Sequence, residues 1–215
     1  DSRGFRNDEI AMPKPKGRIR LAFLGASATF CAEASSNEAT WPHLVCAKLR
    51  EAFPGVEFDY VNAGISGYST QRSTRNLELR VRPVDPDVIV YYEAANDLSL
   101  ETRRLAIDAG LFDGESVDAP SALGRISVLW NWIEKNARVR SRMQADAEGS
   151  RVLRFDEATI AGGYRDRLAT LLRSAKRTAP VVAVATFAWQ VRPDQPADRQ
   201  LEACNTALYY MPWMN

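Results

Sequence analysis

A serine that directly follows an apolar stretch is the first residue of this sequence that could do covalent chemistry. Residues 18–24 read RIRLAFL and have the apolar character of a strand buried in an α/β sheet. Gly25 allows a tight turn, so Ser27 would lie at the carboxyl end of that strand. Open parallel sheets carry ligands and catalytic groups at this edge. We therefore predict that Ser27 is a nucleophile that accepts an acyl group.

Two later segments repeat the pattern of a strand that ends in small or amide residues. Residues 56–70 read VEFDYVNAGISGYST, and residues 87–98 read DVIVYYEAANDL. Glycine N–H groups and asparagine side chains can donate hydrogen bonds into a shared space. Negative charge develops on the carbonyl oxygen when a serine attacks an ester, and preorganised donors stabilise that charge. The three strand ends together therefore contain the residue types of an acyl-transfer site.

In this order, the motifs G-x-S, N-A-G-x-S-G and N-D resemble those of the SGNH/GDSL hydrolase family. The resemblance implies a flavodoxin-like three-layer α/β/α sandwich with a mainly parallel central sheet, and acyl-ester chemistry on a serine. By position, Ser27 matches the nucleophile and Gly67 the glycine whose N–H points into the oxyanion hole. Asn96 matches the asparagine that donates from its side chain. These three residues are the predicted catalytic set, and neither a cofactor nor a metal is predicted.

The sequence departs from the family pattern in three places. Ala26 stands where the GDS form has aspartate, and Glu93-Ala94-Ala95 stands where a glycine usually precedes N-D. Neither change removes a group that must do chemistry. The family's D-x-x-H near the C-terminus, which supplies the histidine base and its orienting aspartate, has no match before Asn215. We therefore expect a C-terminal truncation and almost no activity from these 215 residues alone.

A serine is a poor nucleophile until a neighbouring base takes its proton. The sequence contains one histidine, His43, in the first turn of a predicted helix. No carboxylate is placed to orient it, so we interpret it as a surface or packing residue rather than a surrogate base. His43, Cys46 and Cys31 do not provide the four ligands of a zinc site. Asp97 is predicted to be a structural turn residue that caps the segment after it, rather than an acid.

Composition indicates one globular domain and excludes several classes of protein. The chain has 215 residues, 46% hydrophobic and 26% charged, with a net charge of +1. This balance provides no basic field for nucleic acid, and no apolar run reaches the roughly 18 residues of a transmembrane helix. Three cysteines favour free thiols, with a Cys31–Cys204 bridge as the alternative. The sequence does not determine the oligomeric state.

Strand and helix patterns alternate along the chain, which predicts right-handed crossovers and a parallel sheet. We expect a lead-in and linker over residues 1–17, the domain over 18–215, and a helical insertion over about 98–154. The predicted strands are 18–24, 56–61, 88–92 and 181–186. The main predicted helices run over about 40–53, 69–81, 121–143 and 156–177. The segment SRGFR before a Pro/Lys linker resembles the opening of bacterial family members that carry an upstream anchor. This resemblance implies an extracytoplasmic or membrane-anchored protein.

Within the insertion, one apolar stripe is interpreted as a packing face, with a wall of the acyl pocket as the alternative. It consists of Ile126, Leu129, Trp130, Ile133 and Ala137. Tyr92 and Trp189, at strand ends, either line the acyl or sugar site or are simply buried.

Three functions remain open from the sequence. The first is a serine esterase or O-acyltransferase, for which the resemblance implies a small-molecule or carbohydrate ester substrate, with carbohydrate acetyl groups foremost. The second is a binding protein on the same fold whose site has degenerated. The third is a nucleotide- or flavin-binding module that uses GASAT as its phosphate loop, although this segment lacks the glycines and lysine of a P-loop.

Overall fold

A four-stranded parallel sheet organises the residues that the computed structural model describes, which are 1–108, 121–137 and 157–186. The strands lie in the order β2-β1-β3-β4. Their bounds are β1 (Ile19–Gly25), β2 (Phe58–Asn62), β3 (Val88–Tyr92) and β4 (Val181–Val184). All four predicted strands are present, and the third has the predicted bounds. The predicted α/β/α fold class with a parallel sheet is confirmed.

Seven helices accompany the sheet in the described part of the chain. They are α1 (Ser27–Phe30), α2 (Trp41–Ala52), α3 (Thr70–Asn76), α4 (Ala95–Asp108), α5 (Ala122–Ile126), α6 (residues 128–137) and α7 (Glu157–Lys176). The helix predicted over residues 69–81 is α3 followed by a π-helical turn, Leu77–Val81, and a 3₁₀ turn, Arg82–Val84. None of the described helices is long and apolar enough to cross a bilayer.

The two faces of the sheet are covered by different helices, which produces the three layers. Successive side chains of a strand point to opposite faces. Ala22 and Leu24 of β1 therefore pack in one cluster with residues of the helical segments after β2 and of α7, such as Leu171. Leu21 and Phe23 pack on the other face, against α2. Alternate burial along one strand thus fixes helices on both sides of the sheet.

The cysteines of the described chain are free thiols. Cys46, on the inner face of α2, is fully buried, and burial raises the pKa of its thiol. A buried thiol with a raised pKa is a poor nucleophile. Cys31 is half-buried and also free. Cys204, the other half of the alternative bridge, lies outside the described residues.

The described residues of the predicted insertion form two helices where a single helix is predicted over residues 121–143. The helix is interrupted at Ser127, whose backbone is extended (φ −131°, ψ 116°). The hydroxyl oxygen of Ser127 accepts the N–H of Trp130, so this serine caps the start of α6. Ile126 is 82% exposed and Leu129 is 68% exposed, so the interpretation of this stripe as a packing face is wrong for these residues. Residues 138–143 lie outside the described chain.

The first seven residues pack on the domain. Phe5 is buried in the same core cluster as Val61 of β2. The backbone N–H of Arg6 donates to the Asn62 carbonyl over 3.0 Å, and the side-chain oxygen of Asn7 accepts the Asn62 N–H over 3.0 Å. These contacts bind the N-terminal residues to the end of β2. The interpretation of residues 1–17 as a lead-in and linker did not include them.

Candidate active site

The strand order creates a crevice between the carboxyl ends of β1 and β3. The chain leaves β1 towards β2 on one side, and it leaves β3 towards β4 on the other. Connections that diverge from two adjacent parallel strands leave a gap where ligands of α/β proteins bind. Ser27 follows β1, and Asn96 follows β3. The loop with Gly67 follows β2 on the other side of β1, so all three predicted residues lie at one edge of the sheet.

Ser27 is exposed at the first position of α1, and the residues before it are tightly packed. A side chain on Gly25 would collide with the Thr29 hydroxyl and the Tyr92 carbonyl oxygen, so only glycine fits there. The Thr29 hydroxyl donates to that carbonyl over 3.0 Å, which holds α1 against the end of β3. Ala26 is fully buried. An aspartate at this position would place a charge where the structure has a fully buried methyl group.

The loop between β2 and α3 is held by asparagine side chains. Fully buried Asn62 donates from its side chain to the Thr29 carbonyl over 2.9 Å and accepts the Gly64 N–H over 3.1 Å. Buried Asn76 of α3 donates to the Ala63 carbonyl over 2.8 Å. These bonds satisfy backbone groups of α1 and of the loop after β2 that do not pair within a helix or strand ladder. Asn62 therefore fixes the loop against the helix that begins at Ser27.

Glycine is required at two positions of this loop, for different structural reasons. A Cβ on Gly64 would lie 2.5 Å from the backbone nitrogen of Phe30, so glycine is needed for the close approach of the loop to α1. Gly67 has a φ of +77°, in the left-handed region that favours glycine, and a Cβ there would meet open space. Gly67 is thus an exposed backbone position whose conformation, rather than packing, requires glycine.

Asn96, near the start of α4, is linked to the loop that contains Gly67. Its side-chain nitrogen donates to the Tyr68 carbonyl over 2.9 Å. An amide group has two N–H donors, so one remains for a ligand. Because Tyr68 follows Gly67, this bond ties the two predicted oxyanion donors to each other.

Asp97 is fully buried, and both of its carboxylate oxygens are used in structural contacts. One oxygen accepts the backbone N–H and the hydroxyl of Thr70, over 2.6 and 2.8 Å. The other accepts from the guanidinium of Arg167 on α7 over 2.7 Å. Asp97 is a structural residue, as predicted, but the prediction that it is a turn residue capping the segment after it is wrong. Asp97 lies in the first turn of α4 and caps α3, which precedes it, because the contact is tertiary.

Glu93 is a buried carboxyl group beside the site that the sequence analysis did not identify as functional. It is 5% exposed, and its side chain accepts the backbone N–H of Asn96 over 2.7 Å. Burial raises the pKa of Glu93 to about 7, and the Asp97 charge adds to this, while backbone N–H groups partly oppose it. The signal in the sequence was a glutamate in the Glu93-Ala94-Ala95 segment, which stands where a glycine usually precedes N-D.

We expect the substitution Glu93→Gln to change how stability depends on pH. Because folding raises the Glu93 pKa from 4.5 to about 7, the folded chain binds more protons than the unfolded chain between those values. The wild-type free energy of unfolding should therefore fall, relative to that of the variant, by about 2–3 kcal/mol between pH 5 and pH 8. Denaturant unfolding at both pH values measures this difference.

The matched control for this prediction is Glu51→Gln, because the Glu51 side chain is 73% exposed on α2. It should change the free energy of unfolding by less than about 0.5 kcal/mol at either pH. A Glu93→Gln difference that stays constant from pH 5 to pH 8 would contradict the raised pKa.

His43 contacts Tyr60 of β2. Its Nδ1 lies 3.4 Å from the Tyr60 hydroxyl, and the two rings meet edge to face at 5.9 Å. The interpretation of His43 as a packing residue is confirmed. The Tyr92 ring meets the Trp41 ring edge to face at 5.8 Å; Trp189 lies outside the described residues. Among the described residues, no group of three or more His, Cys, Asp or Glu side chains could hold a metal ion.

Comparison with known proteins identifies a family. A family model described as "GDSL-like Lipase/Acylhydrolase family" matches residues 23–209. No curated protein matches the chain.

Several solved structures are similar at low sequence identity. Axe2, an acetylxylan esterase from Geobacillus stearothermophilus, has a TM-score of 0.45 and 16% identity over 89% of this chain and 70% of its own. A two-domain esterase (CEX) active on acetylated mannans has a TM-score of 0.35 and 24% identity over 41% of this chain and 27% of its own. LAE5, an α/β hydrolase from the metagenome of Lake Arreo, Spain, has a TM-score of 0.40 and 15% identity over 91% of this chain and 95% of its own.

Proposed function

We propose that this chain, which belongs to the GDSL-like lipase/acylhydrolase family, cleaves ester bonds through an acyl-enzyme formed on Ser27. The observation that carries the proposal is the meeting of three loops at the crevice between β1 and β3. Exposed Ser27 follows β1, and Asn96 follows β3, the neighbour of β1 in the sheet. The Asn96 side chain holds the loop that contains Gly67.

In the proposed mechanism, the Ser27 hydroxyl oxygen attacks the ester carbonyl and its proton passes to a base. The N–H groups of Ser27 and Gly67 and the second side-chain N–H of Asn96 donate to the oxyanion. The alcohol leaves with a proton from the base. Water then gives a proton to the base and attacks the acyl carbonyl, the bond to the Ser27 oxygen breaks, and the acid leaves as Ser27 regains its proton from the base. His43, the one histidine of the sequence, contacts Tyr60 and is not assigned as this base.

The direct test is covalent labelling of the full-length protein with a fluorophosphonate, followed by intact-mass measurement and peptide mapping. A fluorophosphonate reacts with serines that a base has activated. We expect one adduct, on Ser27. A folded protein that hydrolyses esters but is labelled elsewhere would contradict the assignment, and a folded protein with no adduct and no hydrolysis would favour the binding-protein alternative.

We propose carbohydrate O-acetyl groups as the substrate class, on the basis of the family resemblance of the motifs. The test compares acetate release from acetylated xylan and acetylated mannan with release from deacetylated controls. Hydrolysis and transfer share the acyl-enzyme, so a second assay follows the appearance of O-acetyl groups on an added oligosaccharide. Acetate release without transfer supports the esterase, whereas transfer with little release supports the O-acyltransferase.

We expect Asn96→Ala to lower kcat by roughly 100- to 1000-fold, with little change in KM. The reason is that an oxyanion donor acts mainly in the transition state. Initial rates of the full-length protein on p-nitrophenyl acetate measure the effect. Asn131→Ala, at an exposed position of α6, is the control and should behave as wild type. A folded Asn96→Ala variant with wild-type kcat would exclude Asn96 from the oxyanion hole.

A further inference from the structure

The start of α4 lacks an ordinary cap. Ala94 occupies the cap position, where its carbonyl accepts the N–H of Leu98 over 3.0 Å. Serine, threonine, asparagine or aspartate usually supply a side-chain acceptor at such a position, and alanine cannot. The carboxyl group of the preceding residue, Glu93, takes this role by accepting the Asn96 N–H over 2.7 Å. The helix end therefore depends on Glu93 for its side-chain acceptor.

Glu93 is itself held in place from two sides. The hydroxyl of Tyr164, on α7, donates to the Glu93 backbone carbonyl over 3.0 Å. The hydroxyl of Thr29, on α1, donates to the carbonyl of neighbouring Tyr92 over 3.0 Å. This backbone is therefore clamped between the nucleophile helix and α7. Because the Glu93 backbone is fixed, its carboxyl group can hold the Asn96 N–H in one position.

We propose that Glu93 is a positioning residue of the oxyanion hole, which fixes the backbone of Asn96 so that the asparagine side chain stays aimed at the ester oxygen. The inference rests on the proposed function. Asn96 is then held at two points, its N–H by Glu93 and its side chain by the Tyr68 carbonyl. Loss of the hydrogen bond between Glu93 and the Asn96 N–H lets the first turn of α4 shift. A misplacement of about 1 Å in a catalytic group can cost roughly a hundredfold in rate.

The strength of the hydrogen bond between the Glu93 carboxyl group and the Asn96 N–H should depend on pH. In the described chain, the ionisable group that acts on Glu93 is Asp97 on α4, which itself pairs with Arg167, and the charge of Glu93 in turn raises the pKa of Tyr91 on β3 and of Tyr164 on α7. Burial and the Asp97 charge raise the Glu93 pKa to about 7, although the backbone N–H groups of Ala94, Ala95 and Asn96 oppose them. An ionised carboxylate accepts a stronger hydrogen bond than a neutral one. Asn96 should therefore be held more firmly as the pH rises through 7.

The test is a double-mutant cycle in the full-length protein with Glu93→Ala, Asn96→Ala and the combination. We expect Glu93→Ala to lower kcat by roughly 10- to 100-fold, with KM unchanged within about twofold. In the Asn96→Ala background, the same substitution should change kcat by less than about twofold, because Glu93 acts through the missing side chain. Unfolding curves confirm that each variant is folded at the assay temperature.

The pH profile of Glu93→Gln is the second readout, since glutamine keeps an acceptor but does not titrate. The ratio of wild-type kcat to variant kcat should rise between pH 6 and pH 8. A flat or falling ratio, or a Glu93→Ala effect of equal size in both backgrounds, would overturn the proposal. Ser27→Ala is assayed in parallel. If Ser27→Ala stays active, the proposed function fails. If Ser27→Ala is inactive while Glu93→Ala has wild-type kcat, only the positioning role is refuted.

Discussion

Replacing Ser27 with alanine is expected to lower kcat of the full-length protein by roughly a millionfold, the loss seen when a serine triad loses its nucleophile. Alanine has no oxygen to accept the acyl group, so only the contribution of binding and oxyanion donors remains. The substitution should not affect folding, because Ser27 is exposed and the contacts that fix α1 come from Thr29 and the backbone. Steady-state hydrolysis of p-nitrophenyl acetate and labelling by a fluorophosphonate measure the loss.

Ser66→Ala is the matched control for this prediction. Ser66 is also an exposed serine at the same edge of the sheet, in the loop after β2. It is expected to keep wild-type turnover and to label normally. Substantial activity of folded Ser27→Ala, or loss of activity in Ser66→Ala alone, would assign the nucleophile to another residue.

Replacing Asp97 with alanine is expected to lower the free energy of unfolding by about 2–4 kcal/mol, because it leaves the buried N–H and hydroxyl of Thr70 without this acceptor and removes one of the two carboxylates that pair with Arg167. Asp97 binds Thr70 of α3 and Arg167 of α7 from its place on α4. Without it, the start of α3 loses its side-chain acceptor. Arg167 keeps its bond to Glu101, over 2.6 Å. Denaturant unfolding followed by circular dichroism measures the change.

The control for Asp97 is Asp166→Ala, next to Arg167 on the exposed side of α7. An exposed aspartate outside an ion-pair network should change the free energy of unfolding by no more than about 0.5 kcal/mol. A loss below about 1 kcal/mol in Asp97→Ala would show that the network does not hold the helices together. Because Asp97 neighbours Asn96, a drop in kcat at temperatures where the variant is folded would add a positioning effect to the structural one.

Local patterns were reliable where one segment decides its own conformation. The apolar run before Gly25 and the run of residues 88–92 form β1 and β3, and the breaks at turn residues end them near the predicted positions. The insertion shows the limit of such patterns. Helical spacing from residue 121 onwards predicts one helix, yet Ser127 caps a new one, because its hydroxyl competes for the Trp130 N–H.

Local sequence patterns did not predict the partners of the buried polar residues. Asp97 and Thr70 are 27 residues apart, and Asp97 and Arg167 are 70 apart. Asn62 was part of a recognised motif, but its bond to the Thr29 carbonyl spans 33 residues. Sequence spacing cannot specify such contacts, since any of many polar residues could meet the same partner once the chain folds.

By itself, the sequence determined the class of fold, the family and the three strand ends at which Ser27, Gly67 and Asn96 lie. These features follow from strand periodicity and from short motifs, which are local properties of the chain. Only the tertiary structure decided that Glu93 supplies the side-chain acceptor at the start of α4. Whether a glutamate is solvated or buried depends on which distant elements pack beside it. Here Tyr164 of α7 binds the Glu93 backbone, and the residue whose carboxyl group accepts the Asn96 N–H is buried.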